Sequence, residues 1–216
     1  MPPVAPLRWP GMEADAPGRD VTRLVNLSDA VVAIAATLLV LPLVDQIDSM
    51  PGATVSEMLG EAGQQFGAFV LSFVVVGRFW LIHHGVFNGV REMTSALFWL
   101  NLVWLIGIVF LPYPTELIGV VDSDDVWAPV LYIGTLAVTT LAGLAMDVLI
   151  ARSPEIRAPG AVEHHDVVAG LVTVGTMLVA LVVALVVPAA GMWSLLLLFA
   201  SPLVARMLSR GRPAAA

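Results

Sequence analysis

The sequence predicts an all-α membrane protein of six transmembrane helices with both termini in the cytoplasm. Three observations carry this expectation. The chain is 58% hydrophobic and only 12% charged, with a mean hydropathy of +0.90, far outside the usual soluble range. Several apolar runs approach the roughly 20 residues that a helix needs to cross the hydrocarbon core. The basic residues are ten arginines and no lysine, and all ten fall on one side of an alternating topology.

Residues 1–22 are Pro-rich and carry no charged-then-apolar leader pattern, so a poorly ordered cytoplasmic segment is expected. The membrane domain then runs over 23–208. A first span is placed at 27–46, and Pro51-Gly52 closes the loop behind it. The second span covers 64–85 and the third 95–118. Pro112 and Pro114 interrupt the outer part of the third span, where a kink is tolerable if neighbouring helices satisfy the freed carbonyls. The fourth span covers 126–150, followed by Pro154 and Pro159 in a connection. The fifth, at 166–187, and the sixth, at 190–208, are separated by the turn at Pro188-Ala189-Ala190-Gly191. Residues 209–216 form a short tail. No repeat, low-complexity tract or separate soluble domain interrupts the pattern.

Arg8, Arg19 and Arg23 precede the first span, and Arg91 lies between the second and third, with Arg78 towards that end of the second. Arg152 and Arg157 lie between the fourth and fifth, and Arg206, Arg210 and Arg212 close the chain. The opposite loops hold Asp45, Asp48, Glu57, Glu61, Glu116, Asp122, Asp124 and Asp125 and no basic residue. The positive-inside rule therefore places both termini in the cytoplasm of an inner (cell) membrane protein. An acidic outer surface concentrates cations near a pore mouth, although acidic loops are also common without any such role. The absence of Cys excludes disulfides, thiolate metal sites and Cys nucleophiles.

The chemistry gathers at the cytoplasmic ends of the first three spans. Ser28 and Asp29 stand at the inner start of the first, directly before an apolar run. An ionised carboxylate at membrane depth is costly unless it faces protein or water. Trp80, His83 and His84 fall near the inner end of the second span, which runs inward. Asn101 lies about 9 Å into the third, at 1.5 Å per residue. These residues share one layer and must satisfy one another in a low dielectric. Asp29 is six residues from Arg23, too far along a helix for a good intrahelical pair, so its partner is expected on the second or third span. A helix N-terminus, with Ser28 as cap and Asp29 complementing the dipole, is the local alternative, and both are expected to hold: the cap is local and the depth match adds an interhelical clasp. His83 and His84 point about 100° apart on a helix, so at most one faces this layer. Glu163-His164-His165-Asp166 reads as a solvated cap at a loop–helix junction rather than a metal site. Gly63-x-x-x-Gly67 and Gly85-x-x-x-Gly89 permit close helix approach but decide nothing alone.

Arg23-x-x-x-Leu27-Ser28-Asp29 resembles the R-x-x-x-F-S-D signature of the prokaryotic lysosomal-type potassium channels, the bacterial relatives of TMEM175. Leu27 stands where that signature has Phe. The following Ala33-Ile34-Ala35-Ala36-Thr37-Leu38-Leu39-Val40-Leu41 is similar to their first helix. The second block is similar too: Trp80, His83-His84, Phe87, Trp99-x-Asn101 and Phe110-Leu111-Pro112-Tyr113-Pro114-Thr115. The resemblance implies a homotetramer in the lipid bilayer whose central pore is lined by the first helix and passes potassium ions. By position it implies Ile34 as the narrowest apolar ring, Leu38 and Leu41 as further apolar layers, and Thr37 as a ring of hydroxyls. Arg23, Ser28, Asp29, Trp80, His83, His84 and Asn101 would form a structural polar clasp. From the residues alone, Ile34, Leu38 and Leu41 share one helical stripe at spacings of four and three, as a helix packed in a bundle core also would.

The function expected is a modestly selective potassium channel with a hydrophobic gate, needing no cofactor or resident metal and binding no nucleic acid. The alternative is a proton-conducting or proton-coupled transporter in which Asp29 and a histidine form a relay. An enzyme is not expected, because no nucleophile–base pair or ligand set comes within reach.

Overall fold

A computed structural model describes residues 18–121, 125–158 and scattered helical positions between 171 and 183. The segment before residue 18, most of the predicted fifth span, the sixth span and the tail lie outside the described residues. Four helical stretches among the described residues are long and apolar enough to cross a membrane: Arg19–Ser49, Gly63–Phe87, Ser95–Val120 and Trp127–Arg152. The protein is a helical multi-pass membrane protein.

The first stretch is two helices, α1 (Arg19–Leu38) and α2 (Leu41–Ser49). Helix α1 begins eight residues before the predicted start of its span. Val21 and Leu24 are the reason, because they continue the buried face of Ser28, Val32 and Ala35 two turns further down. Ser28 therefore lies nine residues inside the helix and is no N-cap, which corrects the local alternative for this residue. The break at Leu39–Val40 follows from Pro42, whose nitrogen has no hydrogen to give the Leu38 carbonyl. The carbonyls of Thr37 and Val40 accept tighter bonds from Val40 (3.3 Å) and Leu43 (3.1 Å) instead.

Beyond Gly52, whose φ of +86° suits only a residue without Cβ, the chain forms a short helix α3 (Val55–Glu61) that apolar periodicity did not reveal. Its start is a capping box. The Thr54 hydroxyl accepts from the Glu57 amide at 3.4 Å, and the Glu57 carboxylate accepts from the Thr54 amide at 2.7 Å. Those bonds, the backbone one first, hold the exposed Glu57 carboxyl below its ordinary pKa.

Helix α4 (Gly63–Phe87) returns across the membrane and α5 (Ser95–Phe110) recrosses it. Thr94 caps α5 by accepting from the Leu97 amide at 3.2 Å. Helix α6 (Pro112–Val120) continues the third span after a break at Leu111, because Pro112 and Pro114 cannot donate to the preceding turn. Helix α7 (Trp127–Arg152) is the fourth crossing. The loops after α4 and α7 pair with each other: Arg91 N donates to Ile156 O and Ala158 N to Gly89 O, both at 2.7 Å.

Helices α5 and α7 make the most extensive contact, α4 packs on α6, and α1 lies across α4 and α5. Lipid tails are as apolar as leucine, so tight contact and hydrogen bonds hold such helices together rather than transfer from water. Gly107 shows the tight contact. A methyl there would overlap the Thr139 hydroxyl and sit 3.2 Å from Thr139 Cβ, so α5 approaches α7 only because position 107 is bare.

Candidate functional site

Helix α1 presents two chemically different faces. One is clamped into the bundle by polar bonds at its inner half. The other carries Ile34, Thr37, Leu38 and, past the break, Leu41, and is exposed.

The clamp is built from three helices. The Ser28 hydroxyl donates to the carbonyl of Leu24, one turn back, at 2.9 Å. Its oxygen then accepts from Asn101 Nδ2 of α5 at 3.0 Å. That leaves Asn101 Oδ1 as an acceptor, 2.6 Å from His83 Nε2 of α4, so Nε2 carries the proton. Ser28 and Asn101 are wholly buried and His83 nearly so. The His83 ring stacks on Trp104 at 4.1 Å and 27° and touches Phe87 at 4.8 Å. Its Nδ1 is buried and has no hydrogen-bond partner among the described residues. One step around α1, Trp80 Nε1 donates to Asp29 Oδ1 at 2.8 Å, a charge-assisted bond at the exposed edge of the layer.

The remaining residues of the predicted layer are placed differently. His84 is exposed, its ring 6.0 Å from that of Trp80, and it does not enter the buried chain. Arg23 is exposed one turn before Leu27. Helix α1 starts about a turn below α5, which is why Ser28, nine residues from its own helix start, meets Asn101, six residues from the start of α5.

A second polar cluster was missed by the sequence reading. Thr115 Oγ1 lies 2.9 Å from Ser72 Oγ, and Ser72 Oγ lies 3.1 Å from Tyr132 Oη, joining α6, α4 and α7 in the outer half. Gln64 Nε2 adds a bond to Ile118 O at 2.6 Å. The signal in the sequence is a hydroxyl at a buried position of each of three helices. The Glu163-His164-His165-Asp166 run lies outside the described residues.

On the opposite face, Ile34 is 61% exposed, Leu38 40% and Leu41 48%. The stripe is open rather than part of the core formed by the described residues. The Thr37 hydroxyl donates to Ile34 O at 2.7 Å, which ties its proton to the helix and turns its lone pairs outward. An unpacked β-branched and leucine surface with one inward-tethered hydroxyl can exclude water, line a passage or meet another copy of itself.

Residues 23–112 match the family described as the endosomal/lysosomal potassium channel TMEM175. A potassium channel of Streptomyces collinus is 38% identical over 103 residues, covering 48% of this chain and 50% of that protein. The endosomal/lysosomal proton channel TMEM175 of Homo sapiens is 34% identical over 99 residues, covering 42% of this chain and 19% of the human one. The chain thus spans about half the length of the bacterial relative and a fifth of the animal one. The fold is similar to the crystal structure of a lysosomal potassium-selective channel TMEM175 homolog from Chamaesiphon minutus. The TM-score is 0.71 at 22% identity, over 86% of this chain and 98% of that one.

Proposed function

We propose that this chain is a member of the TMEM175 family and the subunit of a homotetrameric, modestly selective potassium channel with cytoplasmic termini. The observation that carries the reading is the exposure of Ile34 on a helix whose other face is fixed by the Ser28–Asn101–His83 chain. Copies brought together on this stripe would set Ile34 against Ile34 around a shared axis. Branched side chains meeting there exclude water, and a dewetted constriction blocks ions until the helices spread enough to wet it. The clamp holds α1 at a fixed rotation, so it is the outer part of the span that moves. Thr37 follows one turn outward and offers lone pairs to a partly dehydrated cation, which gives a mild preference for potassium. Leu38 and Leu41 form apolar layers beyond it.

A second reading, proton conduction, is favoured by the animal relatives that are named proton channels. Flux from liposomes separates the two. Potassium-driven ion movement with no matching proton uptake supports the channel reading, and proton uptake without potassium permeability supports the other. Ile34→Asn should raise potassium flux severalfold by wetting the constriction. Unchanged flux in an intact oligomer would move the gate off Ile34. Thr37→Val keeps the shape, deletes the oxygen and should lower the potassium-to-sodium permeability ratio at little cost in conductance. An unaltered ratio would remove Thr37 from selectivity.

A further inference from the structure

Where α5 and α6 meet α7, a furrow of about 630 Å³ stays open, the size of a small-molecule site. Gly107, Ala128 and Thr135, all buried, form its floor. Ile106 and Phe110 on one rim and Val138 on the other are exposed. The Thr135 hydroxyl donates to Leu131 O at 2.8 Å, so its proton is not offered to the furrow. Gly134 widens it, since a Cβ there would meet nothing within 4 Å among the described residues. From Trp127 at the start of α7 to Val138 the helix rises about 16 Å, at 1.5 Å per residue. That is the depth of one leaflet, about half of the roughly 30 Å hydrocarbon core.

The mouth of the furrow is acidic. Asp125 lines it, and its Oδ1 accepts from the amides of Trp127 at 2.7 Å and Ala128 at 3.1 Å, which fixes the carboxylate at the start of α7. The preceding loop adds Asp122 and Asp124 and no basic residue. Trp127 stands exposed at the same level, where an indole suits the headgroup region of a bilayer. An anionic head is repelled at this mouth and an ammonium is attracted.

We propose that the furrow holds one acyl chain of a phospholipid whose headgroup carries an ammonium, with Asp125 receiving the ammonium and Trp127 beside the phosphate. A transmembrane helix, about 10 Å across with its side chains, would rest on Ile106, Phe110 and Val138 and leave the floor empty. A single chain reaches it. Lipid tails gain no hydrophobic energy on moving from the bilayer to an equally apolar furrow, so the tail confers no preference. Asp125 is therefore the residue that selects the lipid. The site lies on α5–α7, away from the exposed stripe of α1, and does not depend on which ion the protein passes.

The test is thermal unfolding of the full-length protein in detergent with dioleoyl phosphatidylethanolamine or dioleoyl phosphatidylglycerol, which have identical chains. The first should raise the unfolding temperature by about 2–4 °C more than the second. Asp125→Asn keeps an oxygen for the two amides and removes the charge, so it should erase that difference. Gly134→Leu should fill the furrow and abolish the response to phosphatidylethanolamine, while unfolding without lipid no earlier than wild type, because leucine suits a helix better than glycine. Equal stabilisation of the wild type by the two lipids would overturn the proposal, as would an Asp125→Asn protein that still distinguishes them or a Gly134→Leu protein that keeps the full response. Earlier unfolding of Gly134→Leu without lipid would place another part of this chain in the furrow, and loss of its oligomer would place a second copy there. Either result overturns the lipid.

Discussion

At the residue scale, the clamp holds because each of its groups has one job. Ser28 passes a hydrogen bond from Asn101 back to its own helix, and Asn101 in turn fixes the His83 proton on Nε2. Truncating Asn101 strips two buried partners together. Asn101→Ala should destabilise the subunit by about 1–3 kcal/mol, the cost of leaving a buried polar group unpaired. A lower unfolding temperature in detergent is the readout, and an unchanged one would show that Ser28 and His83 find other partners. Asp29→Ala removes the acceptor of the Trp80 indole at an exposed site and should be milder. Position along each span was readable from sequence for these residues. Which pairs bond was not, because rotation of one helix about its axis is set by packing.

At the element scale, proline and glycine divide the work. Pro42 and the Pro112–Pro114 pair break the first and third spans in their outer halves, while the inner halves stay straight and cross-linked. Periodicity showed the prolines of the third span but did not reveal the break in the first, since the apolar run continues through it. Gly107 allows α5 to lie against α7 at Thr139. Gly107→Ala should force these helices apart at a cost of about 1–3 kcal/mol, as overpacking does. Thr139→Ala in the same chain should return part of the loss, measured as unfolding temperature for both variants. No loss in Gly107→Ala would mean that Thr139 turns aside freely.

At the scale of the whole molecule, charge sets direction. The described arginines Arg19, Arg23, Arg91, Arg152 and Arg157 lie at or beside the helix ends where the loops after α4 and α7 pair, and Arg78 lies nine residues before that end of α4. Asp45, Asp48, Glu57 and Glu61 lie at the other. The chain has no Cys, so single cysteines report sidedness without background. In intact cells Ser49→Cys should react with an impermeant maleimide and Asn88→Cys should not. The reverse pattern would invert the topology. Copy number is read from the oligomer mass in detergent, where a tetramer is the expected species.

The sequence by itself determined that this is a helical membrane protein, which end of each span carries the arginines, and which short polar set lies at their level. Those properties follow from composition and from order along the chain, and a lipid solvent enforces them with little freedom. Helix rotation and helix contact were decided only in three dimensions. Ile34, Leu38 and Leu41 recur at a spacing that suits a buried stripe as well as an open one, and only the position of α4 and α5 against Ser28 turns them outward. The same placement brings Ser72, Thr115 and Tyr132 together from three helices up to 60 residues apart. Hydrophobic periodicity cannot encode such meetings, because it records which face is apolar and not what stands opposite.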